Sequence, residues 1–267
     1  MKLKLFLFSL ALIFLLTACN VEPPAVPADL GHHVGYEILA QFPHDRNAYT
    51  QGLVFHEGTF FESTGLYGES DLRQVDPLTG QILASVDLDP QYFGEGLALL
   101  NGNLYQLTWR EGTGFVYDSS TLEKTGEFHY ETEGWGLTTD GKSLIMSDGS
   151  SLIRFLDPQT FAVQRTIQVH EEQPIERINE LEWIEGSLFA NVYLSDIILR
   201  IDPSDGKVLS VINLAGLLPE ENAQKQGEVL NGIAYDAKGK AFYVTGKHWG
   251  VLYQIRLVNE PAGTEKR

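Results

Sequence analysis

One carboxylate, one indole and three carboxamides occupy the same position in five short stretches of the sequence that resemble one another. These positions are spaced 40 to 52 residues apart, and each is followed by Gly or Glu and then by Leu or Ile. A carboxylate in an apolar setting can act as a general acid and base, and an amide N–H can stabilise a developing oxyanion. The five residues are Gln51, Glu95, Trp135, Asn179 and Asn231.

A second set of polar and aromatic residues follows four of these positions by 13 to 16 residues. This set contains Trp109, Asp148, Tyr193 and Lys247. Glu95, the only carboxylate of the first set, follows Phe93 and is expected to face Trp109 and Trp135. Partial desolvation there should raise the pKa of Glu95 and make it usable for proton transfer near neutrality. Lys247 offers a cation for an anionic intermediate or for a substrate carbonyl.

The alternative is a purely structural role, in which these residues satisfy one another's hydrogen bonds around a water-filled channel. The uneven chemistry of the two sets argues instead for a pocket that takes a small molecule or a peptide end. The seven histidines lack the paired spacing of metal ligands, so no metal site and no required cofactor are predicted. We find no nucleophile elbow, no phosphate-binding loop and no dinucleotide fingerprint.

The repeat period predicts an all-β fold, a five-bladed β-propeller with four antiparallel strands per blade, in which equivalent positions circle one axis. The second repeat illustrates a blade, because alternating apolar residues and turn signals divide it into four strands. The predicted strands are Gly96–Leu99, Leu104–Trp109, Gly114–Asp118 and Glu127–Tyr130, with Asn101-Gly102 as the first hairpin turn.

Ring closure is predicted to use the start of the domain, because the fifth repeat ends after its third strand. Residues Tyr36–Gln41 should supply the missing strand to the last blade, so that only short edges stay exposed. The propeller domain is predicted over residues 35–258 and a C-terminal tail over 259–267. Residues Leu214–Val229 depart from the period and are expected to form a short helix or lid.

The N-terminus has the pattern of a bacterial lipoprotein. Residues 1–18 combine Lys2 and Lys4 with an apolar run, which predicts a signal peptide. Leu16 to Cys19 resembles a lipobox, so Cys19 is the expected lipidation site; an ordinary signal with an incidental Cys is the alternative. Residues 19–34, rich in Pro, predict a flexible tether. The expected location is the bacterial cell envelope, on the periplasm-facing outer membrane.

The charge restricts the partners. The formal net charge of −17 repels nucleic acid and anionic lipid and favours cationic groups, including the α-ammonium of a peptide. No membrane contact is expected beyond the lipid anchor, and a monomer is the expected state. Cys19 is the only cysteine, which excludes an internal disulfide.

From Tyr36 to Leu257 the sequence resembles the plant and bacterial type of glutaminyl-peptide cyclotransferase. Several sequence blocks in the same order carry the resemblance. They are Tyr49–Leu53, Glu62–Gly68, Phe93–Gly96, Leu107–Trp109, Glu133–Leu137, Ile178–Trp183, Ala190–Tyr193, Leu230–Tyr235 and Val244–Trp249.

The resemblance implies an enzyme that converts an N-terminal glutamine of a peptide or protein to pyroglutamate and releases ammonia without a catalytic metal. It implies that Glu95 is the acid/base residue, and we expect Asn179 and Lys247 to complete the catalytic set. Tyr193 stands where the family can have Trp, and Tyr49 where it often has Phe. The expected substrate-binding residues are Tyr49, Gln51, Phe93, Trp109, Trp135, Tyr193 and Asn231.

Two other functions are compatible with such a fold. A non-enzymatic propeller lipoprotein could serve as an envelope scaffold, although a scaffold does not need one desolvated Glu between two Trp. A propeller lactonase or esterase usually centres on calcium held by several carboxylates, whereas the inner ring here has one. The pattern still allows a structural cation in the central channel.

Overall fold

The protein is built from β-strands, because the repeated runs of alternating apolar residues bury one face while Gly, Asn and Asp end each run. The computed structural model describes Leu30 and residues 32–217 and 228–259, and this part of the chain contains twenty strands and no helix. The strands are β1 (His33–Pro43), β2 (Thr50–His56), β3 (Thr59–Thr64), β4 (Asp71–Val75), β5 (Ile82–Asp87), β6 (Gly94–Leu100), β7 (Asn103–Thr108), β8 (Thr113–Asp118), β9 (Lys124–His129), β10 (Leu137–Thr139), β11 (Leu144–Ser147), β12 (Leu152–Leu156), β13 (Val163–Gln168), β14 (Ile178–Ile184), β15 (Ser187–Val192), β16 (Ile197–Ile201), β17 (Val208–Asn213), β18 (Leu230–Asp236), β19 (Ala241–Gly246) and β20 (Val251–Asn259).

Consecutive strands pair antiparallel into four-stranded sheets, namely β2 to β5, β6 to β9 and β10 to β13. The other eight strands form one sheet in the order β14-β15-β16-β17-β1-β20-β19-β18. Within it, β17 and β1 run parallel and pair through only two residue pairs, His33 with Val211 and Val34 with Ile212. The fold is therefore all-β, as predicted.

The N-terminal strand closes the last sheet, which confirms the prediction made for Tyr36–Gln41. Strand β1 is longer than expected and pairs antiparallel with β20 from Val34 opposite Asn259 to Pro43 opposite Val251. A backbone hydrogen bond from the His44 N–H to the Gly250 carbonyl (3.3 Å) continues this contact beyond the strands.

Five strands, β2, β6, β10, β14 and β18, form a closed ring of neighbours and are called the inner strands. Strand β2 contacts β6, β6 contacts β10, β10 contacts β14, β14 contacts β18, and β18 returns to β2. The apolar core lies between adjacent sheets. Leu53 and Phe60 of one sheet, for example, pack with Ala234, Tyr243 and Leu252 of the next. This packing fixes the edges of the inner strands, where the predicted site residues lie.

Some predictions fall outside the described residues. These include the signal peptide, Cys19, most of the tether, most of the expected lid and the C-terminal tail. Among the residues that the structure describes, no helix is long and apolar enough to cross a membrane.

Candidate active site

The strand pairing is irregular at four of the five predicted ring residues. The pairing of the inner strands shifts register between Thr50 and Gly52, between Gly94 and Leu97, and equally in β14 and β18. Such bulges re-aim a side chain that would otherwise follow the strand alternation. Gln51, Glu95, Asn179 and Asn231 all lie within these shifted segments, and Trp135 lies just before β10.

A glycine follows several of these residues because the inner strands approach one another closely there. A Cβ on Gly96 would lie 2.4 Å from the Leu137 nitrogen, and one on Gly136 would lie 2.0 Å from the Asn179 carbonyl oxygen. The Gly96 N–H donates to the Trp135 carbonyl at 2.7 Å. This close contact brings the side chains of neighbouring sheets onto one cavity.

Nine of the ten predicted site residues line a single cavity of about 150 Å³. Its lining is aromatic on the walls and polar at the base. The lining residues are Tyr49, Gln51, Phe93, Glu95, Trp109, Trp135, Asn179, Tyr193 and Lys247.

Glu95 is the buried carboxylate of this cavity, with 4% of its surface exposed. Gln51 donates its Nε2–H to Glu95 Oε1 at 2.9 Å, which orients the carboxyl group. Burial raises the pKa of Glu95 well above its usual range; the Lys247 ammonium opposes this shift, and the charges of Glu133 and Glu111 add to it. The raised pKa suits Glu95 to the uptake and return of a proton.

Asn231 is placed differently from the expectation that it binds substrate. It is fully buried and does not line the cavity. Its Nδ2 donates to the Thr50 carbonyl at 2.9 Å and to Gln51 Oε1 at 3.3 Å. Asn231 thus fixes the amide orientation of Gln51, which in turn donates to Glu95.

Lys247 supplies the cation of the cavity and is 2% exposed. Its Nζ lies 4.6 Å from the ring centre of Tyr49 and 5.0 Å from that of Tyr193. Burial lowers the pKa of Lys247 to about 8, although the charge of Glu95 acts against this shift. The ammonium can therefore lose its proton only a little above neutrality.

Aromatic contacts organise the walls. Phe93 packs against Trp109 with ring centres 5.5 Å apart and against Tyr49 at 5.9 Å. In a second pair, Trp135 meets Tyr193 edge to face at 5.5 Å. Such contacts hold the rings at fixed angles around the cavity.

Glu133 is a component of the site that the sequence did not single out. Its Oε2 accepts the indole N–H of both Trp109 (2.7 Å) and Trp135 (2.9 Å). Burial alone raises the pKa of Glu133, but the donors of Trp135, Trp109 and Arg110 outweigh it and hold that pKa below its usual range. The sequence offers two signals for it: Glu133 opens the block Glu133–Leu137, and it lies two residues before Trp135, as Phe93 lies two residues before Glu95.

Two polar residues complete the description. Asn179 lines the cavity, and its buried Oδ1 has no hydrogen-bond partner among the described residues. Asp148, which shares the sequence position of Trp109 in its repeat, turns away from the cavity. It accepts from Arg154 Nη1 at 2.6 Å and from the Ser150 hydroxyl at 2.5 Å.

Within the described residues, no group of three or more His, Cys, Asp and Glu side chains is placed to hold a metal ion. The buried His44 has a different role. Its Nε2 lies 3.0 Å from Glu62 Oε1, and its Nδ1 lies 2.7 Å from the Trp249 carbonyl. His44 therefore links the segment after β1 to β3 and to the β19–β20 turn.

The family model for glutamine cyclotransferases matches residues 10–257. Glutaminyl-peptide cyclotransferase of Arabidopsis thaliana is 46% identical over 237 residues, which cover 86% of this chain and 73% of the plant protein. The crystal structure of Myxococcus xanthus glutaminyl cyclase superimposes with a TM-score of 0.80 at 38% identity and covers 85% of this chain and 98% of that one.

The chain therefore belongs to the glutamine cyclotransferase family, and the resemblance drawn from the sequence blocks is confirmed.

Proposed function

We propose that the protein is a glutaminyl-peptide cyclotransferase, which converts the N-terminal glutamine of a peptide or protein to pyroglutamate and releases ammonia. Family membership supports the activity. The observation that carries the chemistry is one buried carboxylate, Glu95, in a cavity walled by the indoles of Trp109 and Trp135. Burying a carboxylate costs free energy, and a non-enzymatic scaffold gains no function from that burial.

The size of the cavity fits the end of a peptide. Pockets for drug-sized ligands measure roughly 300–1,000 Å³, whereas this cavity of about 150 Å³ suits a single side chain. The N-terminal glutamine enters, and the following residues stay at the mouth. The acidic surface of the protein attracts the cationic peptide end.

Placement supplies much of the rate. A peptide α-amine has a pKa of about 8, so roughly a tenth is neutral at pH 7 and needs little activation. The side chain must fold back until the amine faces its own γ-carbonyl carbon. Trp109 and Trp135 hold the chain in that folded form, which converts a flexible cyclisation into an oriented one.

Glu95 moves the proton. The α-amine nitrogen attacks the γ-carbonyl carbon, and the Glu95 carboxylate takes the proton that the nitrogen loses. The protonated Glu95 then donates this proton to the amide nitrogen of the tetrahedral intermediate. The C–N bond breaks, ammonia leaves, and Glu95 returns to its starting form.

The oxyanion of the tetrahedral intermediate needs donors in the same cavity. Asn179 supplies an amide N–H, and Lys247 supplies an ammonium that is worth more in this desolvated site than in water. Gln51 is committed to Glu95 by its hydrogen bond. Acid/base and oxyanion groups are thus both available from the chain itself, which supports a reaction without a catalytic metal.

The proposed architecture is a five-bladed propeller. The ring of five inner strands supports it, as does the weak link of two residue pairs by which the eight-stranded sheet divides into two groups of four. We extend the proposal to a monomer anchored in the bacterial envelope through a lipid on Cys19, on the sequence pattern alone.

Ammonia release from a dipeptide amide that begins with Gln, measured with EDTA present, tests this function. Turnover by the purified protein that persists in EDTA supports the cyclotransferase and its independence from a chelatable metal. A folded protein with no turnover above the spontaneous rate, with or without added metal, favours the scaffold.

A further inference from the structure

One carboxylate oxygen connects the two indoles that wall the cavity. Oε2 of Glu133 accepts from Nε1 of Trp109 at 2.7 Å and from Nε1 of Trp135 at 2.9 Å. The other oxygen, Oε1, accepts from Nε of Arg110 at 3.1 Å. All three donors of this carboxylate therefore belong to the cavity wall or to the residue beside it.

The two indoles come from different sheets. Trp109 directly follows β7, whereas Trp135 precedes β10 of the next sheet, and Glu133 lies in the segment between β9 and β10. The Gly134 N–H also donates to the Trp109 carbonyl at 2.8 Å, so backbone and side chain join the same two walls. The Glu133 carboxylate thus bridges the two indoles, and both indoles line the cavity that the substrate would enter.

Arg110 extends the bridge on the outside. Its guanidinium carbon lies 3.7 Å from the ring centre of Trp109 while its Nε donates to Glu133. Hydrogen bonds to an ionised acceptor are roughly twice as strong as neutral ones. With its N–H held and one face covered by Arg110, the indole of Trp109 keeps one tilt.

We propose that Glu133 is a positioning residue for the cyclisation, one that holds the indoles of Trp109 and Trp135 at the separation and tilt that grip a folded glutamine side chain. This inference rests on the proposed function. It assigns Glu133 no contact with the reacting atoms. Its effect is on binding, through the shape of the gap between the indoles.

A competing explanation is purely electrostatic, because the charges of Glu133 and Glu111 both raise the pKa of Glu95 and that of Lys247 lowers it. Glu111 makes a good matched control. It acts on Glu95 in the same direction but accepts from the Tyr67 hydroxyl (2.8 Å), not from an indole. Both carboxylates act on Glu95, but of the two only Glu133 accepts from the indoles.

The test compares Glu133→Ala, Glu133→Gln and Glu111→Gln in the full chain, with a Gln-initiated dipeptide amide as substrate. For Glu133→Ala we expect KM to rise about tenfold while kcat changes less than about threefold, because ground-state and transition-state binding are lost together. Glu133→Gln keeps an acceptor oxygen for both indoles and should stay within about threefold of the wild-type KM. Both Gln variants should move the acidic limb of the kcat/KM profile to lower pH, because each removes a charge that raises the pKa of Glu95.

Tryptophan fluorescence gives a readout that does not need turnover. Two of the four tryptophans of the chain are the indoles in question. Glu133→Ala should change the emission and increase quenching by acrylamide, whereas Glu111→Gln should leave both unchanged.

An unchanged KM and emission in Glu133→Ala would overturn the inference, as would an equal rise of KM in Glu111→Gln. If the wild-type protein releases no ammonia, the proposed function fails, and the fluorescence comparison alone decides whether Glu133 holds the indoles.

Discussion

Replacement of Glu95 by Gln separates the proposed proton transfer from the shape of the cavity. The substitution is nearly isosteric, and the carbonyl oxygen of the new amide can still accept the Nε2–H of Gln51, which lies 2.9 Å from Glu95 Oε1 in the native protein. The amide cannot take a proton from the attacking amine. The walls and the oxyanion donors stay in place, so the change removes a single function.

The expected loss follows from that function. General acid–base catalysis contributes about 10²- to 10⁴-fold to enzymatic rates, which corresponds to about 3–5 kcal/mol of transition-state stabilisation at about 1.4 kcal/mol per tenfold. We therefore expect kcat for ammonia release to fall at least about a hundredfold. Placement by the indoles should leave some rate above the spontaneous reaction.

Stability provides the control, and its sign can be worked out. Because the folded-state pKa of Glu95 is raised, the native state holds a proton that the unfolded chain has already released. The free energy of unfolding therefore falls as pH rises from about 4.3, the pKa of Glu in the unfolded chain, through the raised pKa of the folded state. The Glu95→Gln variant has no carboxyl group to titrate, so it does not lose stability in this way. Its Lys247 ammonium, however, no longer has the Glu95 charge beside it.

The unfolding temperature of the variant at neutral pH should accordingly lie within about 4 °C of the wild-type value, or above it. Ammonia release and thermal unfolding measured on the same preparations decide the matter. A folded Glu95→Gln protein that turns over within about threefold of the wild type would refute the role given to this carboxylate, because the smallest acid–base effect is larger.

Three further predictions follow from the described contacts. Lys247→Met should lower kcat at least about tenfold, because the cation that stabilises the oxyanion is lost. The wild-type pH–rate profile should decline above about pH 8, where Lys247 loses its proton, and the variant should lack this decline. Gly65→Ala should raise KM, measured by Michaelis kinetics. A Cβ at this position would lie 2.2 Å from Cε1 of Phe93 and would displace the Phe93 ring from the cavity wall. His44→Gln should reduce the free energy of unfolding in urea by at most about 3–5 kcal/mol, because the buried Glu62 loses the His44 imidazolium and keeps Arg73 as its remaining cation.

The pH dependence of stability checks the His44 prediction further. Burial alone lowers the pKa of His44, but the charge and hydrogen bond of Glu62 and the bond to the Trp249 carbonyl outweigh it and raise that pKa. The stabilisation is therefore complete below about pH 6.5 and is lost as pH rises through the raised value. The His44→Gln protein should lack this alkaline decline, and an identical decline in both proteins would contradict the assignment.

The sequence predicts the strands and the closing strand for a physical reason. Each repeat alternates apolar and polar residues between strong turn signals such as Asn101-Gly102, so local chemistry sets the strand bounds. The fifth repeat lacks one strand, and only the N-terminal segment remained to supply it, as the pairing of β1 with β20 confirms. The equivalence of repeats then placed seven of the nine cavity-lining residues, and the family resemblance added Tyr49 and Phe93.

Side-chain hydrogen bonds between distant residues are what the sequence could not supply. Asn231 and Gln51 are 180 residues apart, and their contact places Asn231 behind the cavity rather than on it. Glu133 lies two residues before its ring position, as Tyr49 and Phe93 do, but its bond to Trp109 depends on how two sheets meet. Asp148 shares the sequence position of Trp109, but the nearby Arg154 draws it away from the cavity.

The most direct test of the central claim compares two peptides that differ only in whether the α-amine is free. The purified protein is incubated with a Gln-initiated peptide and with its N-acetylated form, and the products are identified by mass spectrometry. Intramolecular attack by the amine predicts a pyroglutamyl product and ammonia from the free peptide and no reaction of the acetylated one. Ammonia released from the acetylated peptide, with glutamate as the product, would mean hydrolysis by water and would contradict the account.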